Sequence, residues 1–384
     1  MKGLRQHLDL APLASVLVSR MRIVVVIPHL GLGGAERVCA LLCNCWAERG
    51  HSVSAITFEA PGTKPFFGLD KRVRQHQTDA LNSKSSLPAR IAVNARRLWR
   101  LRSTLQALRP DVVVAFMTEA SVVTVLGALG LGIPIIVTER NQPDRPGLGM
   151  FRRLARRLSY PWASAIIVQT NEIARWAKQR FRLPVYVLPN PVKLSLCKDL
   201  APGRNERLVI GAGRLVHQKG FDLLIESFAR VAEAHPNWRL VIYGEGPERT
   251  RLKGQIERHS LSDRISLAGL FTDVEAALSQ ADLFVLASRF EGYPNVVIEA
   301  LSLGCPVIAT NCPGATAEIL DEGRHGLLIP PENVDALTEA LNRMMSDETL
   351  RAHYAASGEG AIAHLEVAKI GHQWLEFFSA LAGT

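Results

Sequence analysis

Short apolar runs, each followed by a helix-length segment, recur along almost the whole 384-residue chain. The run Ile23–Ile27 contains no polar residue, which is typical of a strand buried on both faces of a parallel sheet. Neighbouring parallel strands need a crossover, usually a helix, to connect them. The alternation therefore predicts an α/β fold with doubly wound parallel sheets. The predicted strands lie near residues 21–28, 50–58, 111–116, 134–138, 165–169, 208–213, 239–244, 265–269, 281–286 and 306–310.

The predicted strands form two groups, separated by a segment without periodicity. Between about residues 193 and 207 the chain gathers proline, glycine and charges, which is typical of a linker. We expect two tandem Rossmann-like domains, residues 21–195 and 196–365, because one core rarely grows to this chain length. Their sheets would face each other across a cleft at the carboxyl ends of the strands. Residues 366–384 are predicted to form a C-terminal helix, with packing against the first domain as one option.

Residues 1–20 precede the first predicted strand and mix charged with apolar residues, without a signal-peptide cleavage site. Three interpretations stay open: a disordered extension, a short membrane-lying helix, or a start of translation at Met21. The chain has no run of about 20 uncharged apolar residues, so we expect no membrane-spanning helix. Six cysteines without a Cys-x-x-Cys pair argue against a disulfide framework and a zinc site, and favour the cytoplasm.

Positive charge is concentrated in the first half of the chain. Residues 1–195 hold 28 Lys and Arg against 11 Asp and Glu, whereas residues 196–384 hold 17 against 25. Two stretches, residues 88–109 and 151–157, interleave arginines with apolar residues at helical spacing. Such helices lie on anionic membrane surfaces, although an amphipathic helix packed on its own sheet has the same pattern. We expect contact with a phospholipid surface or a polyprenyl pyrophosphate, and no nucleic acid, because no aromatic-rich RNA motif is present.

The loop after the strand at residues 208–213 has the composition of a phosphate site. Gly213 and Arg214 follow the apolar run of this strand, which ends near Gly211, and Lys219 lies just before the next predicted helix. Free N–H groups and the helix dipole favour anions at a helix N-terminus. Glycines in such turns are often structural, so the two cations carry the argument. We predict that Arg214 and Lys219 bind a pyrophosphate.

Two glutamates lie eight positions apart in a loop-and-helix segment of the second half. Glu291 opens the loop-like stretch Glu-Gly-Tyr-Pro-Asn, and Glu299 falls in the second turn of the helix that follows. A carboxylate at Glu299 can bind vicinal ribose hydroxyls, and Glu291, together with backbone N–H groups of the loop at the helix start, can meet sugar hydroxyls and phosphate. Apolar neighbours of Glu299 disfavour the alternative of a solvated helix residue.

Together these motifs resemble family 4 of the retaining glycosyltransferases, which have the two-domain GT-B fold. The resemblance covers the chain from Met21 onward. It rests on Gly33-Gly34-Ala35-Glu36, Pro189-Asn190-Pro191, Gly213-Arg214 with Lys219-Gly220, Gly244-Glu245-Gly246-Pro247, and Glu291 through Glu299. It implies transfer of a hexose or N-acetylhexosamine from a nucleotide diphosphate, with uridine as the expected base. The implied acceptor is a lipid-linked or surface-polysaccharide glycan at the inner face of the cell membrane, where the protein would be peripherally bound.

The resemblance also implies roles for individual residues. Arg214 and Lys219 would hold the donor diphosphate and Glu291 would face the donor sugar, which makes these three the expected catalytic residues. A donor phosphate would accept the acceptor proton, so no side-chain base is required. No metal or other cofactor is expected, because the sequence lacks the Asp-x-Asp motif of the other large transferase fold. The expected donor-binding residues are Gly33, Gly34, Gly213, Gly244, Gly292, Asn295, Val296 and Glu299.

One segment departs from the family pattern. Many members carry a catalytically important histidine after the strand that ends here in Thr138-Glu139-Arg140-Asn141. This form is similar to a subgroup that assembles surface polysaccharides and lipid-linked oligosaccharides. Glu139, Arg140 and Asn141 are therefore candidate contacts to the acceptor or the sugar, and the role of Arg140 stays open.

Two other function classes remain as alternatives to glycosyl transfer. A nucleotide-sugar 2-epimerase has the same two-domain fold and also binds a nucleotide diphosphate. A non-catalytic nucleotide- or RNA-binding protein could use the basic first half. A Rossmann dehydrogenase is excluded, because Gly31, Gly33 and Gly34 do not have the Gly-x-Gly-x-x-Gly spacing.

Overall fold

Two parallel sheets, one in each half of the chain, form the framework of the protein. A computed structural model describes residues 19–78, 87–140, 149–194, 206–270 and 273–382. Within these ranges the first half contains strands β1 (Arg22–Ile27), β2 (Ser52–Thr57), β3 (Arg74–Gln77), β4 (Val112–Ala115), β5 (Ile135–Glu139), β6 (Ala165–Val168) and β7 (Val185–Val187). The second half contains β8 (Arg207–Ala212), β9 (Trp238–Tyr243), β10 (Ile265–Gly269), β11 (Leu283–Leu286), β12 (Val307–Thr310) and β13 (Leu327–Ile329).

The strand order reverses beside the first strand of each sheet, as in a doubly wound fold. The first sheet runs β3-β2-β1-β4-β5-β6-β7 and the second runs β10-β9-β8-β11-β12-β13. Every pair of strands given by this order is parallel; for example, Ile23 of β1 pairs with Val53 of β2 and Val112 of β4. The predicted α/β class with two tandem Rossmann-like sheets is confirmed.

Helices connect these strands. In the first half they are α1 (Gly34–Glu48), α2 (Leu87–Leu108), α3 (Thr118–Ala128), α4 (Met150–Ser159) and α5 (Asn171–Arg180). In the second half they are α6 (Phe221–Val231), α7 (Arg249–Arg258), α8 (Val274–Leu278), α9 (Asn295–Ser302), α10 (Thr316–Ile319), α11 (Val334–Ser346), α12 (Glu348–Ile362) and α13 (Val367–Ala382). None of the helices in the described ranges combines the length and apolar composition that a membrane crossing requires.

Three strands were not predicted from the sequence, and all three are edge strands. β3 has the sequence Arg-Gln-His-Gln, and β7 and β13 contain three residues each. β3 and β7 close the two sides of the first sheet, and β13 closes one side of the second. An edge strand buries less of its surface than a central strand, so its sequence need not contain a long apolar run.

Alternate residues of the central strands supply two apolar layers. Ile23 and Val25 of β1 belong to the cluster that includes side chains of α1 and α13. Val24 and Val26 point to the opposite face and join side chains of α2, α3 and α5. Two further clusters enclose the second sheet in the same way. Burial on both faces explains the continuous apolar runs, because each such side chain contributes about 1.5 to 3 kcal/mol when it leaves water.

The last helix, α13, packs on the first half of the chain. Trp374 lies with its ring 6.0 Å from that of Trp46 on α1 and 6.4 Å from that of Phe116. Trp46 also donates a hydrogen bond from Nε1 to the carbonyl of Gly371, at 3.1 Å. The chain thus returns from the second sheet and completes the core of the first.

Some expectations about the domain limits concern residues outside the described ranges. The structure does not describe residues 1–18, which make up most of the expected extension at 1–20. It also does not describe residues 195–205, where the domain boundary at 195–196 is expected. The open interpretations of the extension and the boundary therefore stay predictions.

Removing the Trp374 side chain should destabilise the first half of the protein. We expect Trp374→Ala to lower the free energy of unfolding by about 3 to 5 kcal/mol, because the indole is buried among other aromatic rings. Urea unfolding followed by far-UV circular dichroism measures this change. Trp99→Ala is the control, because Trp99 is exposed and its loss should change stability by about 0.5 kcal/mol at most. Equal transitions for the two variants would contradict the packing of α13 described above.

Candidate functional site

The carboxyl ends of the two sheets meet at the first turns of α1 and α9. Asn295 donates from Nδ2 to the carbonyl oxygen of Gly34 at 3.0 Å, and Asn190 donates to Asn295 Oδ1 at 2.7 Å. Arg37 of α1 lies 3.1 Å from Glu299 of α9. Since α1 follows β1 and α9 follows β11, these contacts join the edges where ligands of open α/β sheets bind.

A glycine-lined loop follows β8 at this edge. Gly220 has a φ of 64°, and a Cβ atom at this position would lie 1.9 Å from the carbonyl oxygen of Ala287. Gly244, with a φ of 145°, approaches the loop equally closely, since its Cβ atom would lie 1.9 Å from the carbonyl oxygen of Gly213. These close approaches shape a short 3-10 turn, His217–Lys219, that ends at the start of α6.

Lys219 and Glu291 form an ion pair at the centre of the site. Lys219 Nζ lies 2.5 Å from Glu291 Oε1, and Ser288 donates its hydroxyl to the same oxygen at 2.5 Å. Both charged side chains are largely buried. The structure thus brings together two of the three expected catalytic residues, which are 72 positions apart. The pair places an ammonium, suited to phosphate, next to a carboxylate, suited to hydroxyl groups.

Arg289, which sequence analysis did not select, ties the two loops of this ion pair together. It forms a bidentate pair with Asp222 at 2.9 and 2.8 Å and donates to the carbonyl of His217 at 2.7 Å. Gln218 adds a bond from Nε2 to the carbonyl of Phe290 at 2.8 Å. The guanidinium lowers the pKa of the Asp222 carboxyl against the opposing effect of burial. Arg289 directly precedes the Phe290-Glu291 segment. This closeness to Glu291 in the sequence was the signal that could have identified Arg289 as part of the site.

Arg214 differs from Lys219 in having a free side chain. It is exposed beside the loop, and within the described ranges its guanidinium has no hydrogen-bond or ion-pair partner. Arginine presents five N–H donors in a planar fork that matches phosphate oxygens. Its position after β8 leaves this fork available to an anion that approaches Lys219.

Three helices that begin at the cleft lack side-chain caps. Asp273 and Asn333 accept hydrogen bonds in the first turns of α8 and α11. By contrast, Gly33, Gly220 and Pro294 precede α1, α6 and α9 without such a bond. The uncapped first turns of α6 and α9 leave backbone N–H groups and positive dipole ends close in the chain to Lys219 and Glu291, which favours an anionic ligand.

Glu299 lies in the second turn of α9, and its side chain is 10% exposed. Burial raises the pKa of its carboxyl, whereas the nearby Arg37 guanidinium lowers it. Val296 of the same helix is half-buried, and Gly292 accepts a hydrogen bond from the N–H of Ala315 at 3.1 Å. The assigned donor-binding residues of this segment thus lie on one loop and one helix.

Arg140 is buried at the end of β5 and faces the cleft. Its guanidinium lies 4.7 Å from the centre of the Phe116 ring and donates to Asn190 Oδ1. Desolvation lowers the pKa of Arg140 to about 10, although Cys39 and Glu36 nearby oppose this shift. Through Asn190 and Asn295 the cation is connected to the second half of the chain.

Glu139 points to the other side of β5. Its carboxylate accepts a bond from Tyr160 at 2.5 Å and from Thr118 at 3.1 Å, and it lies 3.6 Å from Arg156 of α4. Burial raises the pKa of this carboxyl despite these partners. The structure therefore does not bring Glu139 together with the Lys219 pair. Asn141, the third candidate of this segment, lies outside the described residues.

Glu291 and Glu299, two acidic side chains of the cleft, each lie against a cation. In the part of the chain that the structure describes, no three His, Cys, Asp or Glu side chains are grouped as ligands. Glu291, the acidic residue at the centre of the site, already bonds to Lys219 and Ser288. The chemistry available from these residues is charge stabilisation and hydroxyl recognition.

Two family models match consecutive parts of the chain. The model described as Glycosyltransferase Family 4 matches residues 32–196. The model described as Glycosyl transferases group 1 matches residues 196–360. Together they include every residue of the site described above.

Similar proteins include curated relatives and solved structures. A Campylobacter jejuni protein, named a GalNAc-α-(1→4)-GalNAc-α-(1→3)-diNAcBac-PP-undecaprenol α-1,4-N-acetyl-D-galactosaminyltransferase, is 26% identical over 362 residues, which are 94% of this chain and 98% of that protein. An exopolysaccharide phosphotransferase of Streptomyces coelicolor is 27% identical over 379 residues, and the match spans 91% of this chain but 40% of that protein. HepE of Anabaena, solved in complex with UDP, shares the fold with a TM-score of 0.77 at 20% identity, covering 94% of this chain and 100% of that one.

A methyl group at Gly220 should disrupt the loop that carries Lys219. We expect Gly220→Ala to destabilise the second half by about 1 to 3 kcal/mol, because its φ is positive and the added Cβ meets the Ala287 carbonyl. Gly254→Ala is the matched control. Gly254 lies inside α7, where a Cβ would make only an ordinary van der Waals contact, 3.8 Å from Arg258 Nη1, so this variant should be about 0.5 to 1 kcal/mol more stable. Thermal unfolding measures both, and an unchanged midpoint for Gly220→Ala would contradict the close approach.

Proposed function

The chain belongs to glycosyltransferase family 4, and on that premise we propose that it moves a sugar from a UDP-sugar to a lipid-linked or surface-polysaccharide glycan. HepE of Anabaena, whose fold the chain shares, was solved with UDP, which supports uridine as the donor base. The Campylobacter relative is named for an undecaprenol-linked acceptor, which supports a lipid-linked glycan. The sugar is proposed to be a hexose or an N-acetylhexosamine.

The Lys219–Glu291 pair is the observation that carries this proposal. An ammonium has three donors and a carboxylate has two acceptor oxygens, so each can keep its partner while it binds a ligand group. We propose that Lys219 and Arg214 bind the diphosphate and that Glu291 accepts bonds from hydroxyls of the donor sugar. The uncapped first turns of α6 and α9 add N–H groups for the phosphates.

The reaction needs stabilisation of the leaving group more than it needs a base. As the bond between the anomeric carbon and the diphosphate breaks, negative charge develops on the departing phosphate oxygen. Cations that are already fixed in a cleft of low dielectric stabilise that charge without having to reorient during the reaction. The acceptor hydroxyl is proposed to attack from the same face, to retain the anomeric configuration, and to give its proton to the departing phosphate. No metal ion is required in this scheme.

Removing either member of the central pair should abolish most of the activity. We expect Lys219→Met and Glu291→Gln to lower kcat by about 100- to 1000-fold, the usual cost of one transition-state contact. The measurement is acceptor-dependent release of UDP from a panel of UDP-sugars in EDTA, with membrane extract as the source of acceptor. Lys253→Met is the control, because Lys253 is an exposed cation of α7 in the same half of the chain.

Three results of this assay would contradict the proposal. Activity that EDTA removes would exclude the metal-independent scheme. Wild-type activity in Lys219→Met would exclude the assigned diphosphate site. Conversion of a UDP-sugar into its C2 epimer without release of UDP would instead support the 2-epimerase.

Helix α4 supports docking to a membrane surface. Met150 and Phe151 are 79% and 84% exposed, and Leu154, Leu158 and Trp162 are exposed beside them. Arg152, Arg153 and Arg157 are exposed between these apolar side chains, and Arg152 lies 3.9 Å from Glu119. We propose that this surface, residues 150–162, binds anionic lipid head groups with its arginines and inserts its apolar side chains among the acyl chains. The inner membrane face is then the proposed location.

The other arginine-rich stretch is engaged within the protein. Arg97 of α2 is 2% exposed and pairs with Glu119 at 2.8 Å. Arg102 donates to the carbonyls of Gly127 and Leu129 at 3.0 and 2.7 Å. These contacts favour an amphipathic helix that packs on its own domain, so the docking proposal is limited to residues 150–162.

Polar replacements on α4 should weaken vesicle binding. We expect Phe151→Ser/Leu154→Ser to lower partitioning to phosphatidylglycerol vesicles by about tenfold or more, because two apolar side chains no longer leave water. Vesicle sedimentation measures the bound fraction, and high salt should lower it for the wild type. Leu270→Ser is the control, since Leu270 is an exposed leucine of the second half. Equal sedimentation of all variants would contradict docking through α4.

A further inference from the structure

The carboxylate proposed to bind the ribose is held by a cation from the opposite domain. Arg37 lies in the first turn of α1, in the first domain, and its guanidinium lies 3.1 Å from Glu299 Oε1. Glu299 belongs to α9 of the second domain. The side chains are 17% and 10% exposed, so the pair is only slightly screened by water.

The Arg37–Glu299 ion pair is part of a larger contact between α1 and α9, which extends over about one helical turn of each helix. Gly34 and Arg37 are three residues apart on α1, and Asn295 and Glu299 are four residues apart on α9. The Asn295–Gly34 hydrogen bond and the Arg37–Glu299 ion pair therefore connect the same two turns. The guanidinium also lies 5.9 Å from the centre of the Phe67 ring, which limits its movement. Both interactions cross from the first domain to the donor helix of the second.

Arg37 also lowers the pKa of the Glu299 carboxyl against the effect of burial. Burial raises the pKa of the Glu299 carboxyl, and the like charge of Glu275 on α8 raises it further. Arg37 lowers this pKa, and Lys193 lines the same crevice. Loss of Arg37 would therefore raise the pKa of the Glu299 carboxyl further. A protonated carboxyl keeps less acceptor capacity for two ribose hydroxyls.

We propose that Arg37 is a positioning residue for the donor: it fixes the Glu299 carboxylate, so that ribose binding by the second domain depends on contact with the first. The inference rests on the proposed binding of a uridine nucleotide. Arg37 Nη1 lies 3.1 Å from Oε1 of the carboxylate, and a carboxylate has further acceptor capacity for hydroxyl groups. Separation of the domains would release the carboxylate and weaken donor binding.

The test is calorimetric binding of UDP to the full chain between pH 5.5 and 8.5. We expect Arg37→Gln to bind UDP about tenfold more weakly at pH 8. Its affinity should also begin to fall at a higher pH than that of the wild type. The pH shift is upward because the Glu299 carboxyl must be ionised to bind the ribose, and loss of the Arg37 cation raises the pKa of this carboxyl. Arg37→Lys keeps the charge but not the planar fork, so its affinity and pH profile should lie between the two.

Arg49→Gln is the matched control. Arg49 lies just after α1 and donates to the carbonyl of Ala368 at 2.6 Å, so it too joins the two ends of the chain, but away from Glu299. This variant should bind UDP like the wild type at every pH. Adding Arg37→Gln to Glu299→Gln should cause no further loss, because Arg37 acts through that carboxylate.

The outcomes separate this inference from the proposed function. Wild-type affinity and pH profile in Arg37→Gln, together with weak binding by Glu299→Gln, would overturn the role of Arg37 alone. No binding of UDP by the wild type, or full binding by Glu299→Gln, would overturn the proposed donor site itself. If thermal unfolding shows that Arg37→Gln does not fold, Arg37→Lys decides, and wild-type values for that variant overturn the inference.

Discussion

The contact between the first turns of α1 and α9 determines the geometry of the cleft. The Asn295–Gly34 hydrogen bond and the Arg37–Glu299 ion pair hold the carboxyl ends of two separate sheets against each other. Each sheet alone would present half of a site. With the edges joined, the uncapped helix starts, Lys219 and Glu291 surround one region, and the cation Arg140 reaches it through Asn190 and Asn295. Under the proposed function, an anionic donor and a glycan acceptor would be held by different domains in this cleft.

Four charged groups of the site, Asp222, Arg289, Lys219 and Glu291, are arranged in two pairs, each of which keeps a side chain in place. Arg289 and Asp222 fix the turn that carries Lys219, and Lys219 in turn pairs with Glu291. A buried charge without a partner is costly, so such pairing is the condition for keeping ionised groups in a partly buried cleft. The same rule applies to Glu139, whose buried carboxylate holds Tyr160 at the end of α4. That contact anchors the inner side of the helix, while its apolar side chains face outward.

The sequence predicted all of the central strands in the described ranges but, of the four edge strands there, only β10. β1 and β4 were predicted because both faces of each are buried and their residues are all apolar at the core positions. β3, with the sequence Arg-Gln-His-Gln, gives no such signal and exists through its pairing with β2. A strand that forms only by pairing with an adjacent strand cannot be identified from its own amino-acid composition.

From the chain alone follow the two α/β domains, the positions of the loops that carry Lys219 and Glu291, and the family, because alternation and motif spacing are local properties. The tertiary structure decided the partners of those residues. Arg37 and Glu299 lie 262 positions apart, and Asn190 and Asn295 lie 105 apart. It also decided that Glu139 turns away from the cleft while Arg140 faces it. Adjacent residues of a strand point to opposite sides, and only the packing around β5 defines which side is the cleft.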